Sequence, residues 1–406
     1  MSNISKVRDD DVDLEFEISG LCFAPNQISQ PSYCEGWFTE KVGSSPGPLI
    51  SDFVTHGPEF EYSTLGIHVG QTDRLTFFGS SIRTILGHFV DCREGSDTLH
   101  NRLSISFSAS ARRKLIIPRG VAHTFDGLAG IVTRDEPEWF SSEQNPHWNV
   151  TNDLVSILRT ETSFPVVTIN ELPLSDELHL YVARLQQTVL QDPKSYMTRF
   201  ELEIAGKRQY VMFEDQTWNN EGRSVDDLIR SFDNAGVSVC RSKYAITGKA
   251  SWTLVPNTSS AVCDVVWLPA QSTSAGENHF LHTRTRKWYT ILTSEAQPFS
   301  LSTLDLRRES EGYGQRQVCD SISDPRVSFC IEPGVAYRFE LSEGAYLRTE
   351  SEILLSEAEP DSTLKPIGAD LVVVRASDVA EIAYDLPALN ASDAIVRRIA
   401  AYESQL

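Results

Sequence analysis

"IIPRGVAHTF", Ile116–Phe125, and "CIEPGVAYRF", Cys330–Phe339, decide how this chain is read. In each, apolar residues run into a turn that holds Pro and Gly, and Val-Ala follows at once. Pro presets one backbone angle of a tight turn and Gly admits another, so the turn re-aims the next strand. The residue three places after the glycine is then the informative one. It is His123 in the first stretch and Tyr337 in the second.

Working outward, the two stretches belong to an internal repeat with a constant offset of 214 residues, His68 to His282. "LGIHVG" sets His68 opposite His282 of "HFLHTR", and "VDCREGS" sets Asp91, Arg93 and Ser96 opposite Asp305, Arg307 and Ser310 of "LDLRRES". Further on, Arg134 and Glu136 match Arg348 and Glu350, and "NELP" matches "YDLP", with Glu171 opposite Asp385. One register across separate blocks means two copies of one fold.

Within each copy, short runs rich in Val, Ile, Phe, Thr and Tyr alternate with turn clusters, the texture of a sandwich or barrel. "SDELHLYVARLQQTVLQDP" has a helical apolar period, with Ser175 as N-cap. "SVDDLIRSFDNAG" ends on Gly236 as a C-terminal cap, and "SDAIVRRIAAYES" forms a final helix. The expectation is an all-β chain: a first domain over 1–175, a helical linker over 176–240 and a second domain over 241–406.

The chain has 406 residues, 40% of them hydrophobic and 23% charged, as in a soluble globular protein. No stretch reaches the length of a membrane span. The polar, acidic start "MSNISKVRDDDVDLEFEI" reads as cytoplasmic rather than secreted. A net charge of −20 argues against nucleic acid or an anionic membrane as partner, and leaves a small molecule. Seven scattered cysteines without a C-x-x-C pair suggest neither a disulfide framework nor a zinc cluster. Neither copy has His-x-His, so no metal of the common β-barrel kind is expected, and no cofactor.

Two pairs in the repeat fit acid–base work: His68 with Glu171, and His282 with Asp385. A histidine takes and returns protons near neutral pH, and a carboxylate fixes its ring. The competing reading makes these histidines hydrogen-bonded strand residues and the acids turn formers. The repeated arginines, Arg93/Arg307 and Arg134/Arg348, suit either an anionic substrate or ion pairs with neighbouring acids.

These blocks together resemble the cupins typified by dTDP-4-dehydrorhamnose 3,5-epimerase: "GIH" (66–68), "DCREGS" (91–96), "IPRGVAHTF" (117–125) and "INELP" (169–173), repeated as "FLH", "DLRRES", "IEPGVAYRF" and "YDLP". The resemblance implies two tandem jelly-roll β-sandwiches and metal-free epimerisation beside a 4-keto group of a small-molecule substrate, a nucleotide-linked sugar being one candidate. The single chain would then be a monomer mimicking the family's dimer, or a homodimer. It implies His68 and His282 as bases, Glu171 and Asp385 as their orienting acids, and Tyr346 as the second-copy proton donor. It also implies His123, Arg74, Arg134, Lys287, Tyr337 and Arg348 as substrate contacts. In the first copy Val132–Arg134 stands where the family's tyrosine falls, and Leu65 and His279 stand where its nucleotide-contacting arginine does. The same pocket would serve a cyclase or dehydratase acting on a non-sugar intermediate. A third reading, from another class, is a non-catalytic binding or scaffold protein built of the same two domains.

Overall fold

In the computed structural model of the chain, the described residues are 4–29, 40–43, 51–57, 60–79, 83–148, 153–175, 178, 200–204, 207–211, 236–241, 244–248, 251–254, 263–270, 278–293, 296–325, 327–353, 355–356, 371–375 and 389–390. Apart from Leu178, which is helical, their regular structure is almost entirely strand, as the alternating sequence texture requires.

The chain forms two compact units. The first comprises Met1–Gln27, Ile50–Trp218 and Tyr244–Val255; the second comprises Ile28–Leu49, Asn219–Lys243 and Pro256–Leu406. These units cut across the division expected from the repeat, because each copy lends a short piece to the other copy's unit. Glu40–Val42 pairs with Cys263–Leu268 in the second unit, and Ser251–Leu254 pairs with Asp52–His56 in the first.

Each unit is built from two sheets, and the strands common to both units pair antiparallel in the same order. In the first unit one sheet runs Arg102–Ser108, Thr84–Asp91, Val121–Asp126, Thr64–His68, Leu154–Leu158. The second unit repeats it as Arg316–Ile322, Pro298–Asp305, Val335–Leu341, Asn278–His282, Leu371–Arg375. The facing sheets run Cys22–Pro25, Ser110–Ile117, Gln71–Phe78, Val132–Asp135, Asp52–His56, and Val237–Arg241, Val327–Ile331, Thr285–Leu292, Ala345–Ile353, Cys263–Leu268.

Inward side chains of both sheets form the larger apolar cluster of each unit. Phe23, Phe77, Phe107 and Phe125 meet edge to face in the first, and Phe299, Phe329 and Phe339 cluster in the second. Such ring pairs contribute about 0.5–1.5 kcal/mol each beyond the area they bury.

The opening turns do what their sequence demands. Gly120 and Gly334 lie at φ +75° and +82°, where a β-carbon is disfavoured. Their N–H groups donate to the carbonyls of His68 and His282 at 2.7 and 2.8 Å, which ties each turn to the end of a histidine-bearing strand. A β-carbon on Gly120 would also meet Arg93 Cγ at 2.5 Å.

The helices expected over 175–193, 224–236 and 392–404 fall outside the described residues, apart from their edges. There, Leu178 N–H donates to Ser175 Oγ at 3.4 Å, the N-cap contact, and Gly236 has the left-handed φ of +80° expected of a C-cap. No helix among the described residues is long and apolar enough to cross a membrane. Cys22, Cys92, Cys240, Cys319 and Cys330 are free thiols.

Candidate active site

The first unit contains a cavity of about 220 Å³ whose lining follows strand alternation. Side chains point to opposite faces along a strand, so every second residue faces in. Tyr62, Thr64, Gly66 and His68 line it from one strand and its approach; Gln71, Asp73, Leu75 and Phe77 line it from the next. His123 and Phe125, Thr133 and Asp135, and His56 line it from the neighbouring strands.

His68 sits at the end of Thr64–His68, paired with Leu154. Its Nδ1–H donates to Asp153 Oδ2 at 2.7 Å. Asp153 is 2% exposed, and its other oxygen accepts from the Gly70 N–H at 2.5 Å and from Trp148 Nε1 at 2.7 Å. Three donors therefore hold the carboxylate, which in turn holds the ring. His68 Nε2 is left facing Asp73, 4.0 Å away. Burial alone would lower the His68 pKa, but the charge of Asp73, the Asp153 hydrogen bond and charge, and Asp135 outweigh it and hold it up at about 9.

His123 stacks beside His68 with ring centres 5.9 Å apart. Its Nδ1–H donates to the Val121 carbonyl at 3.1 Å, and its Nε2 lies 3.2 Å from Asp73 Oδ2. Burial is the main influence on its pKa, and the net shift is downward. Asp73 and Asp135 are bridged by Gln71 Nε2 at 2.6 and 3.1 Å, and Gln71 Oε1 accepts from Trp139 Nε1 at 3.0 Å. Burial first, then the charges of Asp73 and Asp52, push the Asp135 carboxyl well above its ordinary range. The Tyr62 hydroxyl, raised to about 12 by burial and then by Asp73 and Asp135, stays protonated.

The structure redistributes the residues singled out in the sequence. His68 and His123 meet as expected. Glu171 is exposed beside the Leu172–Pro173 strand, and Asp153 takes the orienting place assigned to it. Arg74 points away from the cavity and donates to the Glu136 carbonyl at 2.6 Å, because it follows the inward Asp73 by one residue. Arg134 is fully buried on the outward face, 3.6 Å from Glu136, and Arg348 lies equally buried 3.0 Å from Glu350. Arg93 and Arg307 close onto Asp91 and Asp305, with closest contacts of 2.6 and 2.7 Å, so ion pairing is the correct reading of all four. Leu65 likewise faces away from the cavity, into a small cluster with Ile67, Val90 and Ile157.

In the second unit the corresponding space is occupied by side chains. Tyr337 and Tyr289 stand where the first unit has His123 and Leu75, and their hydroxyls hydrogen-bond to each other. His282 stacks on Tyr337 at 6.2 Å and is 6% exposed. Lys287 stands opposite Asp73 in the repeat and donates to Ser351 Oγ at 2.6 Å. Tyr346 is on the outward face, packed on Trp267 at 4.7 Å, and is no proton donor to His282. Asp385 lies outside the described residues.

The sequence reading missed the lining residues Asp73, Asp135, Gln71, His56 and Tyr62, and Asp153 behind His68; for Tyr62 and Asp153 the sequence carried a signal. Tyr62 shares the parity of His68, so it faces the same side. "NDLV" at 152–155 and "ADLV" at 369–372 are a repeat block that a fixed offset misses. Leu154 pairs with His68 as Leu371 pairs with His282, so Asp153 corresponds to Asp370.

His56 forms part of the wall and has a structural role. It is 5% exposed, donates Nδ1–H to the Ile131 carbonyl at 2.9 Å and packs on Phe60. Burial lowers its pKa to about 4, below the unfolded value near 6.5. The neutral ring therefore supports folding fully above pH ~6.5, and this support is lost as pH falls through about 4, to a total of about 3 kcal/mol. Denaturant unfolding at pH 7.0, 5.5 and 4.5 should show that slope, and a His56→Gln variant should lack it. Equal slopes in the two proteins would contradict the assignment.

No protein-family model and no curated protein matches the chain. Similar solved structures include a Bacillus anthracis dTDP-4-dehydrorhamnose 3,5-epimerase with TDP and PPi bound (17% identity, TM-score 0.27, 41% of this chain and 94% of that one). The Mycobacterium tuberculosis rmlC epimerase is another (16%, TM-score 0.26, 40% and 84%). A third is NovW, a 4-keto-6-deoxy sugar epimerase from the novobiocin cluster of Streptomyces spheroides (12%, TM-score 0.23, 41% and 85%). Likeness at these values fixes no reaction.

Proposed function

We propose that the first unit is an isomerase-type enzyme that moves a proton at a carbon beside a carbonyl, as in epimerisation of a keto sugar or a related small intermediate. The observation that carries this is His68: its Nδ1 is fixed on Asp153 while its Nε2 opens into a cavity. A ring held in one orientation by a buried carboxylate can deliver and recover a proton at its other nitrogen. His68, in the fraction of protein whose ring is neutral, takes the proton at Nε2 as the carbon–hydrogen bond breaks, the electron pair moves into the carbonyl as an enol or enolate, and a proton returns to the same carbon. Tyr62, with its hydroxyl still protonated, lines the same cavity, and as the second donor it would deliver its proton to the face of the carbon opposite His68.

The substrate is small and carries no diphosphate. Among the described residues, the cavity lining includes Asp73 and Asp135 but no lysine or arginine. A nucleotide diphosphate needs cationic forks of the kind that Arg74 and Arg134 spend elsewhere. The second unit, with its tyrosine-filled interior, fits the scaffold reading. Incubation in deuterium oxide tests the proposal: wild-type protein should exchange the α-hydrogen of small keto sugars and leave dTDP-linked ones unlabelled. Exchange confined to nucleotide-linked sugars would overturn the substrate assignment, and no exchange with any keto sugar would overturn the reaction.

A further inference from the structure

We propose that the cavity of the first unit takes a substrate bearing a primary ammonium group, which docks on Asp73, Asp135 and Thr133 beside His68. The inference rests on the isomerase reading for the use of the site, and narrows its substrate to an amine-bearing keto compound.

Strand alternation brings Asp73 inward from Gln71–Phe78, and Thr133 and Asp135 inward from the neighbouring Val132–Asp135. Gln71 Nε2 donates to both carboxylates, at 2.6 and 3.1 Å, so the two acids share one amide. Asp73 is buried, and Asp52 stands directly opposite Asp135 in the strand register, where like charges repel. Negative charge is thus gathered on one wall. Among the described residues no lysine or arginine lines the cavity to balance it.

Thr133 is an independent sign of a missing ligand. It is 7% exposed and shares the inward parity of Asp135, yet its hydroxyl has no hydrogen-bond partner among the described residues. A buried hydroxyl left unpaired is costly. An ammonium, with three donors and no acceptor, satisfies that hydroxyl and the two carboxylates together. The sandwich itself does not require this wall. In the second unit Lys287, Leu347 and Thr349 stand at the places of Asp73, Thr133 and Asp135, so none of the three is kept.

The ammonium also acts on the base. His68 faces Asp153, Asp73 and Asp135, with His123 stacked beside it, and the carboxylates hold its pKa at about 9. At pH 7.5 the ring of the empty site therefore carries a proton. A second cation on Asp73 and Asp135 takes over their charge and repels that proton. Docking then releases the proton to solvent and leaves the neutral ring that proton abstraction needs. Asp135, pushed up by burial and by Asp73 and Asp52, responds with the same sign.

The test is calorimetric titration of the full-length protein with cyclohexylamine and 6-amino-6-deoxyglucose, against cyclohexanol and glucose. At pH 7.5 each amine should bind about 10- to 100-fold more tightly than its hydroxyl counterpart. Titrations in phosphate and in Tris, whose ionisation heats differ, should show net proton release, and amine affinity should rise between pH 6.5 and 8.5. Asp73→Asn and Asp135→Asn should each remove the preference for amine, and Thr133→Val should weaken amine binding about 3- to 10-fold. Glu171→Gln should bind as wild type does. Circular dichroism confirms that each variant is folded, and the two separate aspartate substitutions guard against one that is not. Equal binding of amines and their hydroxyl counterparts, no amine binding at millimolar concentration, or a preference that survives in both folded aspartate variants overturns the subsite. Calorimetry reads binding without turnover. An amine preference without deuterium exchange would count against the isomerase reading alone, and exchange without amine preference against the subsite alone.

Discussion

An Asp153→Asn variant is expected to fold normally and to lose about 10²- to 10⁴-fold of the wild-type rate of solvent deuterium exchange. The substitution keeps the shape of the side chain. Its oxygen can still accept from the Gly70 N–H and the Trp148 indole, which donate to Asp153 Oδ1 in the native protein. What changes is the atom facing His68, where an amide N–H₂ replaces the oxygen that accepts from Nδ1. The ring must then turn or change tautomer, and Nε2 is no longer presented to the cavity in working form. Glu171→Gln is the matched control and should exchange as wild type does, because Glu171 is exposed and away from the ring. Mass spectrometry of labelled product gives both rates. A large loss in Glu171→Gln with none in Asp153→Asn would restore the pairing read from the sequence.

The second large effect concerns stability. Asp91→Ala should cost about 3 kcal/mol in denaturant unfolding, since it leaves buried donors unpaired. Asp91 is fully buried, and its carboxylate accepts from Arg93 Nε and Nη2, from the Arg93 N–H, and from the Ser96 and Thr98 hydroxyls. Burial would raise its pKa, but those hydrogen bonds hold it well below the usual carboxylate range. Asp305 repeats the device with Arg307 and Ser310. A change under about 0.5 kcal/mol, the size of an ordinary surface substitution, would show that the cluster is dispensable.

These residues also show what the sequence could and could not disclose. A charged side chain repeated in register suits a binding site and a structural pair equally well. Arg93, Arg134, Arg307 and Arg348 proved to be structural, and burial decided this rather than spacing. The sandwich was legible because alternation and turn residues act locally, and the repeated sheet order agrees with the repeated sequence. The exchange of Glu40–Val42 and Ser251–Leu254 between units was not legible, because strand partners are chosen over long separations.

Within the pocket, period-two parity from His68 and Asp73 would have admitted Tyr62 and rejected Arg74 without a structure. Asp153 was hidden for a different reason. The repeat slips by three residues before "DLV", and a search held to one offset passes over it. The constellation of His68, Asp73 and His123 comes from three strands, and only folding brings it together.

The central proposal is that proton transfer takes place in the first unit, at His68, rather than in the second, at His282. The direct measurement is solvent deuterium incorporation into a small keto sugar by His68→Asn and His282→Asn, compared with wild type. His68→Asn should abolish incorporation, and His282→Asn should retain it, because Tyr289 and Tyr337 fill the space beside His282. Loss in His282→Asn with retention in His68→Asn would place the active site in the other copy and contradict the account.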